Sequence, residues 1–385
     1  MTLSPRISLV RGVVLSGVGL LALVLLSPGV GSQSASVGWL DAWRARLGRP
    51  LDATAVMSRN PQFDRNNDGE LSDEEVENYR AFAARIGFSL RMPRTLLALQ
   101  VGATLALCGA TFQTMFRNPL AEPYTLGIAG GGSLGALIAI RAGWRVSWFG
   151  VSSLALAAFA GGMGVVGLVI LMSRGARRLT GNEMVLGGVT LGLFCSAMMM
   201  IVTVVSDQQQ TFEMIRWMMG SLDAIGGVEG AALLPLVAPA WGILIAHARM
   251  LNQFQLGDDI AASRGVHLAN RQLLLVTVAT LATAGVVAQC GPIGFVGLVV
   301  PHIAALVVGA DCRVLLPVSA LVGASFLILC DWAGVLAMGL AGRVLDKPLA
   351  SATLPIGVVT ASVGVPIFLL LLRLRRREGL VMAGS

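Results

Sequence analysis

Apolar residues run through this chain in long blocks separated by short polar punctuation, and each block is about as long as the 20 residues a membrane-spanning helix needs. Such blocks cover 8–28, 92–115, 123–141, 148–173, 183–205, 228–249, 271–289, 292–309, 314–338 and 355–373. The pattern predicts an all-α, polytopic membrane protein of ten transmembrane helices. One stretch departs from it. Residues 31–90 are polar, and DEEVENYRAFAARI (Asp73–Ile86) has the periodicity of a surface helix. The chain therefore divides into a first transmembrane helix (1–30), a small extracytoplasmic insert (31–90) and a transmembrane core (91–385). Arg6 and Arg11 ahead of an apolar run that ends in small residues, Ser34 to Ser36, also fit a cleaved signal peptide; a retained helix is the expectation.

Composition narrows the class. The 385 residues are 55% hydrophobic and 13% charged, against about 25% charged in soluble domains. That excludes an ordinary soluble enzyme. A net charge of +7 invites a nucleic-acid reading, but the bases sit at the ends of apolar blocks and gather on no single face. The positive-inside rule accounts for them. Arg373, Arg375, Arg376 and Arg377 mark the closing end as cytoplasmic, and an even number of spans puts both termini there. Arg174, Arg177 and Arg178, and Arg249, Arg264 and Arg271, fall on the same side. The insert then faces outward. Five cysteines without a CxxC spacing read as buried thiols. Gly127, Gly131 and Gly135, like Gly188 and Gly192, recur four apart, as in closely packed membrane helices.

Within the insert, DRNNDGELSDEE (Asp64–Glu75) has the spacing of an EF-hand-like loop. Asp64, Asn66 and Asp68 stand at positions 1, 3 and 5, and Gly69 supplies the turn at position 6. Glu70 offers its backbone carbonyl, Ser72 binds directly or through water, and Glu75 is the bidentate residue at position 12. Ca²⁺ is the expected ion, and a lanthanide suits the same hard oxygen ligands. Pro61 falls where the entering helix should end, and no second loop follows for pairing.

Hydropathy leaves three membrane stretches unexplained. RMPRTLLALQVGATLALCGATFQTMFRNPLAEPYTLGIAGGGSLGA (Arg91–Ala136), GPIGFVGLVVPH (Gly291–His302) and LPIGVVTASVGVPIF (Leu354–Phe368) put prolines and polar backbone at membrane depth, which requires a protein-lined environment. In that order they closely resemble the permease subunits of ABC importers for iron-siderophores, haem and cobalamin, over nearly the whole chain apart from the insert. The resemblance implies a homodimer in the bacterial inner membrane, a periplasmic substrate-binding protein outside and a pair of ABC ATPase subunits inside. The chain has no GxxxxGK[ST] of its own, so it is expected to be a transport subunit and not the enzyme.

The family's coupling helix matches LGDDIAASRGV (Leu256–Val266). Gly257, Ala261 and Gly265 fall four apart there, with Asp258 and Asp259 beside them, and would engage the ATPase. Arg91 and Arg94 of the RxPR motif, with Arg343 in the last outer loop, would dock carboxylates of the binding protein; the alternative is interface-anchoring arginines. Asn118 and Leu120, and the turn at Gly181 and Asn182, are the gate positions the family suggests. The chain departs from the family in extra residues between Asp331 and Leu354, in Val335 where an arginine is common, and in Thr353 where a glutamate precedes LP. His302 and Met198–Met200 read as packing residues before they read as metal ligands. The alternative function, a calcium-regulated secondary transporter or channel, would place ionisable groups inside the spans, and the spans here are nearly free of Asp, Glu and Lys. The cargo, a chelated metal of the siderophore, haem or cobalamin type, is not specified by these residues.

Overall fold

The computed structural model describes residues 5–30, 37–66, 68–144, 146–148, 151–173, 181–222, 233–256, 268–345 and 353–382. In chain order, α1 (Pro5–Leu26) leads to three insert helices, α2 (Trp39–Arg46), α3 (Ala53–Arg59) and α4 (Asp73–Ala84). A wide turn at Arg85–Arg91 carries α4 directly into α5 (Met92–Phe116). There follow α6 (Ile128–Arg141), α7 (Ser153–Ser173), α8 (Gly181–Val204), the amphipathic α9 (Gln208–Met218), α10 (Leu234–Ala246) and α11 (Ala248–Gln255). The chain closes with α12 (Leu268–Cys290), α13 (Val296–Val308), α14 (Cys312–Leu345) and α15 (Ile356–Met382). A two-residue ladder, Ser147–Trp148 with Val151–Ser152, is the sole strand pairing among the described residues.

Every apolar block yields a helix, but not always a full span. Among the described residues, six helices are long and apolar enough to cross a membrane, and α10 with α11 makes a seventh that bends by 55° at His247. α6, α13 and the apolar part of α15 (Ile356–Leu371) are shorter. Each short helix follows a Pro- or Gly-containing stretch whose irregular backbone occupies the missing length: Pro123–Leu126 before α6, GPIGF before α13 and Thr353–Pro355 before α15. Two boundaries differ from the sequence expectation. The insert does not end at residue 90, since one continuous helical path runs from Asp73 to Phe116. α14 has 34 residues, about 50 Å at 1.5 Å per residue, so it outruns a 30 Å hydrocarbon core. The segment expected as an outer loop from 339 is helical as far as Leu345; GLAGRVL contains no proline, and its two glycines are tolerated within the helix.

α5 is the central strut, with 18 of its residues buried. It crosses α14 where Gly102 faces Gly323, and α13 where Gly109 faces Gly297. At both crossings a Cβ would collide with the partner's backbone, so small residues set the interaxial distance, as in other membrane helix pairs. Gly131 and Gly135 serve α6 in the same way against Gly161 and Ala157 of α7. Gly109→Leu is expected to cost about 3 kcal/mol through overpacking, read as lower thermal stability in detergent. An unchanged melting temperature would remove this crossing from the account of the fold.

The insert has its own core of Val37, Ala42, Val56, Tyr79, Ala83 and Ile86. It is fastened to the bundle at several points. Trp43 Nε1 donates to the Leu25 carbonyl at 2.8 Å, and Gly87 packs on Pro28 and Ala42.

Candidate functional site

The sequence motifs converge in space. Ile293 N, in GPIGF, donates to Tyr124 Oη at 3.1 Å and so ties that turn to RNPLAEPY. Ser221 N donates to Cys290 O at 2.8 Å, and Gly357 N to Met219 O at 3.1 Å, which adds WMMGSL and LPIG to the same cluster. Gly220 and Gly291 adopt positive φ, +72° and +71°, and lie against one another. A Cβ at Gly291 would strike the Trp217 carbonyl, so glycine is required there by both conformation and space. The irregular segments thus satisfy their backbone groups on each other inside protein.

At the insert end of the bundle, Arg94 forms a fork with Asp331 of α14. Nε lies 3.0 and 3.1 Å from Oδ1 and Oδ2, and an Nη donates to Oδ1 at 2.7 Å. The side chains are only 19% and 10% exposed. Arg94 also lines a cavity of about 130 Å³ with Arg216, Ser221, Thr353 and Leu354. The position that departs from the family pattern, Thr353, therefore shares a cavity with the motif arginine. Arg91 does not. Its guanidinium turns inward and donates to Pro28 O at 2.8 Å and Val37 O at 3.2 Å. This corrects its expected place on a docking surface: Arg91 is buried, and it pins the insert to the end of α1. Arg343 is exposed in the last turn of α14 and not in a loop. Sequence reasoning missed Arg216 and Asp331. Arg216 lies on an amphipathic helix with no motif, and Asp331 is an acid inside an apolar block, which is a signal.

At the opposite end, α5 stops at Arg117, whose φ of +51° is left-handed. Asn118 Oδ1 accepts from Leu120 N at 2.9 Å, so the two gate candidates form one Asx turn, with Leu120 51% exposed. A cavity of about 230 Å³ opens between Gln113, Arg117, Pro119, Gln255 and His302. His302 Nδ1 lies 2.9 Å from Leu298 O, and its ring meets Phe368 edge-on, a packing role. Of the methionine run, Met199 is buried and Met200 is exposed. Gly181 and Asn182 open α8.

The segment expected to couple to an ATPase, with Gly257, Asp258, Asp259, Ala261 and Gly265, lies outside the described residues. The helix that leads into it, α11, is clasped to the loop before α14. Asn252 donates to Asp311 Oδ1 at 2.7 Å and accepts from Cys312 N at 2.8 Å. Gln255 donates to Ala310 O at 3.0 Å. Arg313 forks onto the Asp311 carboxylate, and with Asn252 it holds that carboxyl well below the usual range, at about 2.

In the insert loop, Gly69 has φ +85° and its N–H donates to Asp64 Oδ2 at 3.1 Å. Glu75 Oε1 accepts from Arg65 N at 2.8 Å, and Oε2 from Ser72 N and Oγ at 2.9 and 2.8 Å. These bonds hold its carboxyl below the usual carboxylate range. Asn66 Nδ2 donates to Asp68 Oδ2 at 2.7 Å and Glu70 N to Asp68 Oδ1 at 2.9 Å. Among the described residues, no group of three His, Cys, Asp or Glu side chains is assembled to hold a metal ion. α3 ends at Arg59 and a short 3₁₀ turn, Pro61–Phe63, replaces its last turn, as Pro61 suggests.

The sequence profile of the FecCD transport family matches residues 19–374. The chain is 35% identical over 295 residues to an uncharacterized ABC transporter permease protein, YvrB, of Bacillus subtilis, covering 76% of this chain and 80% of that protein. It is 38% identical over 292 residues to the vitamin B12 import system permease protein BtuC of Escherichia coli, covering 75% and 84%. A solved structure of a metal-chelate type ABC transporter in an inward-facing conformation superposes with a TM-score of 0.72 at 27% identity, covering 94% of this chain and 98% of that one. The chain is a membrane permease of the ABC importer class, and it belongs to the FecCD transport family.

Proposed function

We propose that this permease carries a cobalamin-like or siderophore-like metal chelate from a periplasmic binding protein to the cytoplasm, as one half of a homodimer driven by a pair of ATPase subunits. The observation that carries this reading is the match to vitamin B12 import permeases over three-quarters of the chain, together with the meeting of the family's motifs in one cluster. In this reading the inner membrane holds the chain with both termini in the cytoplasm and the insert outside, following the arginine distribution. The two cavities described here, about 230 and 130 Å³, are smaller than the roughly 300–1,000 Å³ of a drug-sized ligand site. The homodimer reading places the path between two copies of the chain.

Binding energy from ATP reaches the path through Gly257–Gly265, α11 and the clasp on α14. Asn118, Leu120 and the start of α8 at Gly181 and Asn182 stand at the inner end as gate elements. Arg94, with Arg216 and the exposed Arg343, offers the cationic outer surface. Asp331, the acid within α14, is engaged by Arg94, which argues against an ion-driven secondary transporter.

The test is reconstitution of the chain with its ATPase subunit and binding protein in vesicles. Chelate uptake should require ATP and the binding protein, and Gly265→Trp should leave hydrolysis while uptake falls at least about tenfold, a coupling loss of at least 1.4 kcal/mol. Uptake that persists without the ATPase subunit would overturn the importer reading. Uptake untouched by Gly265→Trp would overturn the coupling role of this segment.

A further inference from the structure

We propose that the loop Asp64–Glu75 is a Ca²⁺ site which braces the insert on the mouth of the transport bundle, a role that does not depend on the identity of the cargo. The ligands are Asp64, Asn66, Asp68 and Glu75 through their side chains and Glu70 through its carbonyl, with Ser72 in direct or water-mediated contact.

A capping role explains only part of this loop. Ser72 and Glu75 form a reciprocal cap on α4, which accounts for those two residues. It does not account for Asp64. That residue is 7% exposed, and its carboxylate turns into the loop, where Oδ2 accepts from Gly69 N. Its other oxygen, Oδ1, is shut from solvent and has no hydrogen-bond partner. A buried anionic oxygen without a donor is costly, and such groups in native proteins call for an explanation such as a bound ion. A hard cation within the loop satisfies it. The same ion would draw in Asp68 and Asn66, which lie within hydrogen-bond reach of one another.

Both Glu75 oxygens are engaged by the Arg65 and Ser72 donors, so the ion must draw the carboxylate away from them. That exchange lowers the net affinity. It places the site with the extracellular modules, at a Kd of about 10⁻⁴–10⁻³ M. Ca²⁺ is favoured over Mg²⁺ because a loop of mixed side-chain and carbonyl oxygens offers many ligands in flexible geometry, whereas Mg²⁺ demands a tight octahedron.

The consequence is mechanical. Phe63, one residue before the loop, stacks edge-on with Tyr79 and also meets Phe82. Tyr79 Oη donates to Asp41 of α2 at 3.4 Å. Glu75 belongs to α4, and α4 runs on into α5 through Arg91, which holds Pro28 and Val37. The ion therefore joins the entering half of the insert, α3 and its 3₁₀ turn, to the helix that becomes the central strut.

The experiment uses the full-length protein in detergent or nanodiscs, titrated by calorimetry with CaCl₂, MgCl₂ and TbCl₃. One Ca²⁺ per chain is expected at a Kd of about 10⁻⁴–10⁻³ M, with weaker Mg²⁺. Asp64→Asn, which keeps an acceptor for the Gly69 N–H, and Asp68→Ala should each lower the affinity at least tenfold, while their melting temperatures in chelator match the parent protein. Ca²⁺ should also slow proteolysis within the insert of the parent protein but not of Asp64→Asn. No Ca²⁺ or Tb³⁺ binding at millimolar concentration overturns the site, as does Ca²⁺ binding that both variants retain in full.

Discussion

Arg94→Glu is expected to destabilise the protein by about 3–5 kcal/mol, the cost of stranding one partner of a largely buried ion pair. Glutamate there would set two carboxylates where a fork of 2.7–3.1 Å bonds now stands. The docking role proposed for Arg94 predicts a second, separable loss, which the single variant cannot resolve from unfolding. The charge-swapped double variant Arg94→Asp with Asp331→Arg resolves it. Opposite charges again face each other between α5 and α14, so much of the melting temperature should return. The cation has moved off α5, however, and affinity for the binding protein should stay low and depend on salt over the screening length of about 8 Å. Binding-protein affinity equal to the parent's in the swapped protein would leave Arg94 a purely structural residue.

That pair also shows how far the sequence could be read. Ten apolar blocks locate ten helices because burial in lipid tolerates so little else, and the small-residue spacing at Gly131 and Gly135 marks a close helix crossing that the structure places against α7. Three features escaped. α4 and α5 are continuous because the wide turn at Arg85–Arg91 takes up Pro93 at the start of α5 without breaking the helical path, yet in sequence RMPR reads as a boundary. The inward turn of Arg91 depends on Pro28 and Val37, residues more than fifty positions away that no local pattern connects to it. Arg216 joins Arg94 and Thr353 at one cavity only after α9 has folded back against the bundle. Motif spacing identified the candidate arginine region; tertiary contacts decided which arginine faces a cavity.

The clasp between α11 and α14 carries the other large expectation. Asn252→Leu removes one hydrogen bond to an ionised carboxylate and one to a backbone N–H, together about 2–4 kcal/mol of local stability. Because α11 bends away from α10 by 55° and leads directly to residue 256, it connects the proposed coupling segment to the rest of the chain. With that tie lost, α11 is held to the bundle by the buried face of Ala248, Leu251 and Phe254 and by Gln255, so motion of the ATPase should reach the bundle less completely. Hydrolysis is expected to continue while uptake falls at least tenfold, with the melting temperature of the membrane core little changed. Protonation should not mimic the variant in ordinary buffers. The Asp311 carboxyl lies at about 2 in the folded protein, lowered chiefly by Arg313, against about 3.9 for an unperturbed aspartate. Its contribution is therefore complete above the unfolded value and is lost only as pH falls through the folded one. Coupling in the parent protein should be flat from pH 8 to about pH 5 so far as this group decides it, and Asn252→Leu should lower the whole profile without tilting it. Uptake per ATP hydrolysed, measured across that range in reconstituted vesicles, decides the matter: a ratio equal to the parent's would detach the clasp from coupling.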